Sequence, residues 1–294
     1  MIPTHPASPP RPAPIGIFDS GVGGLSVLRH IRAQLPRELL IYFADTGFAP
    51  YGDKPEQVVV ERSLAVAAFL LERGAKALVV ACNTATVAAI KALRARYPAL
   101  PIVGVEPGLK PAAAATRSGK IGVLATDGTL SGEKFLQLRA QVSSASGAQF
   151  LLQPCIGLVD LIELGQFDTA AIDALLDRYV APLIAQGADT LVLGCTHYPF
   201  VQAAIARVAA RHATQAVTLI DTGDAVARQL ARLLETAGLL AHHEHDAAPA
   251  SAARPDAAAG QPSLLGYTTA SATALAGAFS SLLGLTLPVE AVKI

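Results

Sequence analysis

Two cysteines in this chain stand at matching places in matching segments. Residues 74–82 read Gly-Ala-Lys-Ala-Leu-Val-Val-Ala-Cys, and residues 187–195 read Gly-Ala-Asp-Thr-Leu-Val-Leu-Gly-Cys. Each is a helix-ending Gly-Ala, then a short apolar strand, then a thiol. Asn83-Thr84 follows the first thiol and Thr196-His197 the second. A matched pair of strand-end thiols suits one task above others: removing a proton from one face of a carbon and delivering a proton to the opposite face. The echo extends upstream. Ile15-Gly16-Ile17-Phe18-Asp19-Ser20 is answered by Ile121-Gly122-Val123-Leu124-Ala125-Thr126. Self-similarity at this long spacing means two related α/β units, one cysteine in each, and not a short-repeat solenoid.

In parallel α/β sheets, ligands bind beyond the C-terminal strand ends. Asp19-Ser20, Asp45, Cys82, Thr126 and Cys195 all fall at such ends. Cys82 runs into Asn83-Thr84-Ala85, a helix start, and Cys195 into Thr196-His197-Tyr198-Pro199, with proline suited to a first helical turn. Free N–H groups there would hold a carboxylate and favour thiolate over thiol. Cys155 follows Pro154, has no repeat partner and is assigned to the core. Asp19-Ser20-Gly21-Val22-Gly23-Gly24 resembles a phosphate-cradling loop but has Ser26 at the third glycine position and an acid at its mouth. Its glycines are read as allowing close backbone approach to a small ligand, in preference to nucleotide binding.

Around these residues the chain must supply two cores. Its 294 residues are 52% apolar and 16% charged, enough for two modest domains. Lys plus Arg equals Asp plus Glu, so no global field recruits nucleic acid or an anionic membrane. No apolar run approaches the ~18 residues of a membrane span. The N-terminus lacks a secretory pattern, so a cytoplasmic location is expected. Three cysteines are too few for a disulfide framework.

Strands are expected at 15–19, 39–45, 77–82, 102–106, 120–125, 150–154, 190–195, 217–221 and 263–269. Helical patterns fill 24–34, 55–73, 84–96, 132–142, 168–186, 199–212 and 223–237. The alternation argues for an α/β fold of doubly wound, mainly parallel sheets with helices on both faces. Residues 1–14 form a proline-rich tail. Residues 241–262, rich in Ala, Pro and Gly, read as a flexible insertion. Its His242, His243 and His245 are taken as part of a polar linker, because no rigid element fixes a coordination geometry; no metal site is assigned.

The motifs together resemble bacterial glutamate racemase, of the aspartate/glutamate racemase superfamily. They are Asp19 to Gly24, Asp45-Thr46 with Pro50-Tyr51-Gly52, Cys82-Asn83-Thr84-Ala85, Gly104-Val105-Glu106-Pro107, and Gly194-Cys195-Thr196-His197-Tyr198-Pro199. The match runs in order over about residues 15–235. It implies two pseudo-symmetric domains with the active site between them: 15–107 plus 217–294, and 108–216. It implies a cofactor-independent amino-acid racemase that supplies D-glutamate for peptidoglycan. Cys82 and Cys195 would be the acid/base pair, with Asp19 assisting the first and Glu163 and His197 the second. Asp19-Ser20, Tyr51-Gly52, Asn83-Thr84 and Thr196-His197, with Thr126, would bind L- or D-glutamate. A homodimer is expected. Phe48, Ala49, the 241–262 insertion and the absence of Gly-Asp after Tyr267-Thr268-Thr269 depart from the family pattern.

With no aldehyde cofactor to delocalise a carbanion, such a site must stabilise charge electrostatically, through N–H groups and the hydroxyls of Ser20, Thr84 and Thr196. Two other readings compete. One is a racemase of aspartate or another small acid; Thr196-His197 favours glutamate, since the aspartate branch typically places an acid at that histidine. The other is a non-catalytic partner-binding role. Some family members are reported to bind DNA gyrase, but the balanced charge gives such binding, or nucleic-acid binding, no support here.

Overall fold

The computed structural model describes residues 13–241 and 263–294. The proline-rich segment up to residue 12 and residues 242–262, with the three histidines, lie outside the described residues. The described chain forms two sheets whose paired strands are all parallel, with helices on both faces.

The first unit contains β1 (Ile15–Asp19), α1 (Leu25–Gln34), β2 (Leu40–Ala44), α2 (Glu56–Glu72), β3 (Ala77–Val80), α3 (Asn83–Arg96) and β4 (Ile102–Gly104). The second contains α4 (Leu109–Ala115), β5 (Lys120–Ala125), α5 (Asp127–Ser131), α6 (Glu133–Ser146), β6 (Gln149–Pro154), α7 (Leu158–Glu163), α8 (Ala170–Ala185), β7 (Thr190–Leu193), α9 (Gln202–His212) and β8 (Thr218–Ile220). The chain then returns through α10 (Gly223–Thr236), β9 (Leu264–Thr268), α11 (Ala272–Leu283) and β10 (Val289–Ala291). The first sheet has the order β10-β9-β2-β1-β3-β4, and the second β6-β5-β7-β8.

Register makes the duplication concrete. Ile15 pairs with Ala77 and Phe18 with Val80; in the second sheet Ile121 pairs with Thr190 and Leu124 with Leu193. Cys82 and Cys195 each follow the last of these pairs by two residues, so they occupy equivalent points beyond equivalent central strands. The central strands β1, β2, β3 and β7 are buried along their whole length, as strands covered on both faces must be. Side chains alternate between two cores. Ile15, Ile17 and Tyr42 join α1, α10 and α11 on one face of the first sheet, while Phe18, Phe43 and Val80 join α2 and α3 on the other.

One expected boundary moves. The strand at 218–220 was expected in the first domain, but it pairs with β7 in the second sheet. The chain crosses back after Ile220, and α10 packs on α1. A three-residue strand carries no local mark of its partner; only the vacant edge of β7 selects it. The short helices α4 and α5 also lie where the pattern marks none, being too brief to show a 3.6-residue period. Strand β10, at the sheet edge, was not expected either.

Candidate active site

Most functional side chains are presented by a strand end or by the turn or helix start after it; Glu163 instead ends α7, and Tyr51 lies in a 3₁₀ turn. Cys82 is the residue before α3, and its Sγ accepts from Ala85 N–H at 3.5 Å. Cys195 leads into a 3₁₀ turn, Tyr198–Val201, with Pro199 in its first turn, and only then into α9. Both sulfurs line one small cavity between the units, together with Ser20, Tyr51, Gly52, Asn83, Thr84, Thr126, Thr196 and His197. The cavity is tight, with room for little more than a water molecule. Larger hollows exist elsewhere, among them one lined by Arg94, Glu106, Lys110 and Lys134. The chemistry follows the two thiols, not the volume.

The two thiols have different surroundings. Burial, then the Asp19 carboxylate, pushes the Cys82 thiol up to about 12, although Ala85 N–H and Ser20 pull the other way. Burial therefore works against the thiolate preference expected at this helix start, and the single Ala85 N–H does not offset it. Ser20 Oγ lies 3.8 Å from Cys82 Sγ. Asp19 is fully buried, accepting from Gly21 N–H at 2.8 Å and from Thr196 Oγ at 2.9 Å. Burial lifts its carboxyl to about 6, against the pull of His197 and of these donors.

Beside Cys195, His197 Nδ1 lies 3.6 Å from Sγ, and Nε2 lies 2.6 Å from Glu163 Oε1. Burial alone would lower the imidazole, but its bonds to Cys195 and Glu163 outweigh this and hold it well above the ordinary histidine value. Glu163 moves in the complementary direction. Burial would raise it, yet His197 and Val22 N–H bring it below the usual carboxylate range. Both shifts favour the imidazolium–carboxylate form of the pair.

The units meet through a belt of polar contacts. Glu163 Oε1 accepts from Val22 N–H at 2.8 Å. Thr84 Oγ lies 3.0 Å from Thr126 Oγ, which reaches Thr129 Oγ at 3.0 Å. Ser26 Oγ sits 2.8 Å from the Thr196 carbonyl and from that of Gly23. Ser26 escaped the sequence reading because Thr196 is remote in the chain, and Thr129 because it reaches Thr84, at 3.4 Å, only across the closed units. Ser26, at the third glycine position, is spent on holding Thr196. The loop glycines serve this same closure. A Cβ at Gly21 would lie 2.0 Å from Glu163 Oε1, and one at Gly23 would lie 2.4 Å from His197 Nδ1. The close approach they permit is to Glu163 and His197 of the other unit.

Two further sites differ in character. The Tyr51 hydroxyl donates to Asp45 Oδ2 at 2.5 Å, and Asp45 also binds Arg62 and Thr269. Tyr51 therefore offers the cleft its ring and backbone, not its hydroxyl. Asn83 is the opposite case: its amide oxygen and nitrogen are both buried without a partner. Such groups are rare, and they leave the Asn83 amide free to bond a polar group in the cavity it lines. Cys155 is buried in the second core, in the same apolar cluster as Cys195. The hollow beside it shares Gly52, Thr126 and Val159 with the two-thiol cavity, which Cys155 does not itself line. Among the described residues, no three His, Cys, Asp or Glu side chains are grouped to hold a metal, and no helix is long and apolar enough to cross a membrane.

Two like α/β units that offer one thiol each to a shared cleft place two groups able to carry a proton around one small space, an arrangement that suits isomerase chemistry. Comparison with known proteins gives the family. The sequence model of the Asp/Glu/hydantoin racemases matches residues 15–230. A glutamate racemase of Pseudomonas paraeruginosa is 56% identical over 229 residues, covering 78% of this chain and 84% of that protein. Glutamate racemase RacE1 of Bacillus anthracis superposes with a TM-score of 0.81 at 30% identity, covering 96% of this chain and 98% of that one. The Escherichia coli glutamate racemase, solved with L-glutamate and the activator UDP-MurNAc-Ala, gives 0.75 at 34% identity, covering 96% and 100%. The chain belongs to the Asp/Glu/hydantoin racemase family and is an isomerase.

Proposed function

We propose that this racemase interconverts L- and D-glutamate without a cofactor, with Cys82 and Cys195 as the two bases, and that it supplies D-glutamate for peptidoglycan. The observation that carries the reading is the pair of thiols at equivalent strand ends lining one cavity. The orphaned Asn83 amide supports an amino-acid ligand there, and the relatives' names supply the substrate.

From L-glutamate, the Cys195 thiolate takes the Cα proton. The His197 imidazolium sets positive charge beside the sulfur that carries the anion. The Cys82 thiol, held protonated by burial, gives its proton to the opposite face. From D-glutamate the roles reverse, with Asp19 beside Cys82. Hydroxyls of Ser20, Thr84 and Thr196 and nearby backbone N–H groups stabilise charge building on the substrate carboxylate. General acid–base assistance contributes about 10²–10⁴-fold, so positioning in a closed, dry cleft supplies the remainder.

The test is racemisation of L-glutamate, L-aspartate and L-alanine in deuterated water. Glutamate should be turned over in preference. Early in the reaction, deuterium should enter the product Cα and scarcely the remaining substrate, because each face meets its own thiol. Equal early labelling of both enantiomers, or preference for aspartate, refutes the reading.

A further inference from the structure

The glycine-rich loop carries a connection that the two-thiol scheme leaves unused. Tyr42 sits in the middle of β2, fully buried. Its ring packs edge-on against Phe279, with centroids 5.7 Å apart. The ring is thus accounted for by the core; the hydroxyl is not. It donates to the Gly21 carbonyl at 2.8 Å. The N–H of the same peptide group, on Val22, donates to Glu163 Oε1 at 2.8 Å. That oxygen is the one 2.6 Å from His197 Nε2, and His197 Nδ1 faces Cys195. One peptide group therefore joins a phenol of the first unit to the carboxylate–imidazole pair of the second. Burial, then the nearby Asp19 and Glu163 carboxylates, holds the phenol well above its ordinary value, so it stays a donor. Gly24 packs against it: a Cβ there would lie 2.9 Å from the Tyr42 oxygen.

We propose that Tyr42 is a positioning residue for the Cys195 half of the reaction: its hydroxyl holds the Gly21–Val22 peptide so that Val22 N–H meets Glu163, and through it sets His197 against Cys195. The inference rests on the two-thiol reading above. Two effects add in it. The bond fixes the peptide's orientation, and a peptide whose carbonyl accepts a hydrogen bond is the stronger donor at its N–H. Without the hydroxyl, the buried Gly21 carbonyl is unpaired, and the amide that supports Glu163 is free to turn.

The test is Tyr42→Phe, which keeps the ring and removes the hydroxyl. The kcat/KM should fall about tenfold. It must fall equally for both enantiomers, because their equilibrium constant is unity, so the rate alone does not locate the defect. Primary isotope effects do. With α-deuterated L-glutamate, whose deuteron goes to Cys195, the effect on kcat/KM should rise toward its intrinsic value. With α-deuterated D-glutamate, whose deuteron goes to Cys82, it should fall toward unity. Ser63→Ala is the control. It removes a buried hydroxyl that donates to the Val59 carbonyl at 2.7 Å on α2, across the sheet from Tyr42; both isotope effects should stay as in wild type, whatever its melting temperature. In a Glu163→Gln background, Tyr42→Phe should cost less than it does alone. Isotope effects unmoved by Tyr42→Phe, moved in the opposite sense, or moved equally by Ser63→Ala overturn the inference, as does full additivity with Glu163→Gln. Wild-type protein that fails to racemise glutamate overturns the underlying reading instead.

Discussion

Replacing Glu163 with Gln removes a charge while keeping a shape, and the geometry gives the size of the effect. Glu163 Oε1 receives Val22 N–H at 2.8 Å and faces His197 Nε2 at 2.6 Å. The amide oxygen of Gln still accepts from Val22 N–H, so the loop contact survives. The imidazolium, however, loses its anionic partner. Hydrogen bonds to charged groups contribute about 1.5–3 kcal/mol and neutral ones about 0.5–1.5 kcal/mol, a difference of roughly 1–1.5 kcal/mol. That corresponds to about one pKa unit at His197, downward. It also corresponds to about a tenfold loss of kcat/KM, equal for the two enantiomers. The sign follows from His197 being held well above its ordinary value in the wild type. Activity that needs the imidazolium falls as pH rises through its pKa, so the alkaline limb should move to lower pH by about one unit. The assay is kcat/KM for L- and D-glutamate from about pH 6 to 10 by circular dichroism, with pKa values taken from the limbs. An alkaline limb in the same place, or wild-type kcat/KM at all pH values, refutes the assignment of Glu163 as the partner of His197.

Cys82→Ala and Cys195→Ala should each abolish racemisation with the fold intact by circular dichroism, while Cys155→Ala, in the second core, should remain active; near-normal turnover by either of the first two counts against the two-base scheme. Gly21→Ala should lower kcat/KM by about 100-fold with little change in melting temperature. The φ of Gly21 is not positive, so its backbone admits alanine, but the new Cβ would lie 2.0 Å from Glu163 Oε1; an active variant would show that the loop and α7 need not meet. The Glu163–His197 pair also predicts how melting temperature depends on pH. Glu163 is lowered from 4.5, so its contribution is full above that value and lost as pH falls through its folded pKa. His197 is raised from 6.5, so its contribution is full below that value and lost as pH rises through its folded pKa. The wild type should therefore exceed Glu163→Gln most between about pH 4.5 and 6.5, by ~2–4 °C per kcal/mol; calorimetry showing a difference that grows above pH 7 contradicts this.

Much of the fold was legible in the chain, because the signals that specify it are local. Apolar runs such as Leu78-Val79-Val80 and Leu191-Val192-Leu193 announce strands covered on both faces, and helical stretches between them announce parallel sheets. The repeat marked Cys82 and Cys195 as equivalents, since strand register carries a duplicated sequence to duplicated positions. Glu163 was not legible in this way. On pattern alone it belongs to a solvated helix face, and only the resemblance to a family placed it in the site.

Tertiary structure decided what depends on pairing across long stretches of chain. Thr218–Ile220 found the edge of β7 and not the first sheet, because three residues specify a strand but not its partner. The glycines of the loop proved to make room for Glu163 and His197, which lie more than 130 residues away. Ser26, Thr129 and Tyr42 look unremarkable in sequence; their hydroxyls gain meaning only from the atoms that folding sets against them. The local pattern determined which elements form and which thiols they carry. Closure of one unit on the other determined their partners: burial raises the Cys82 thiol, while Cys195 is set 3.6 Å from His197 Nδ1. Desolvation and charge act through distance in space, which composition and spacing along the chain do not record.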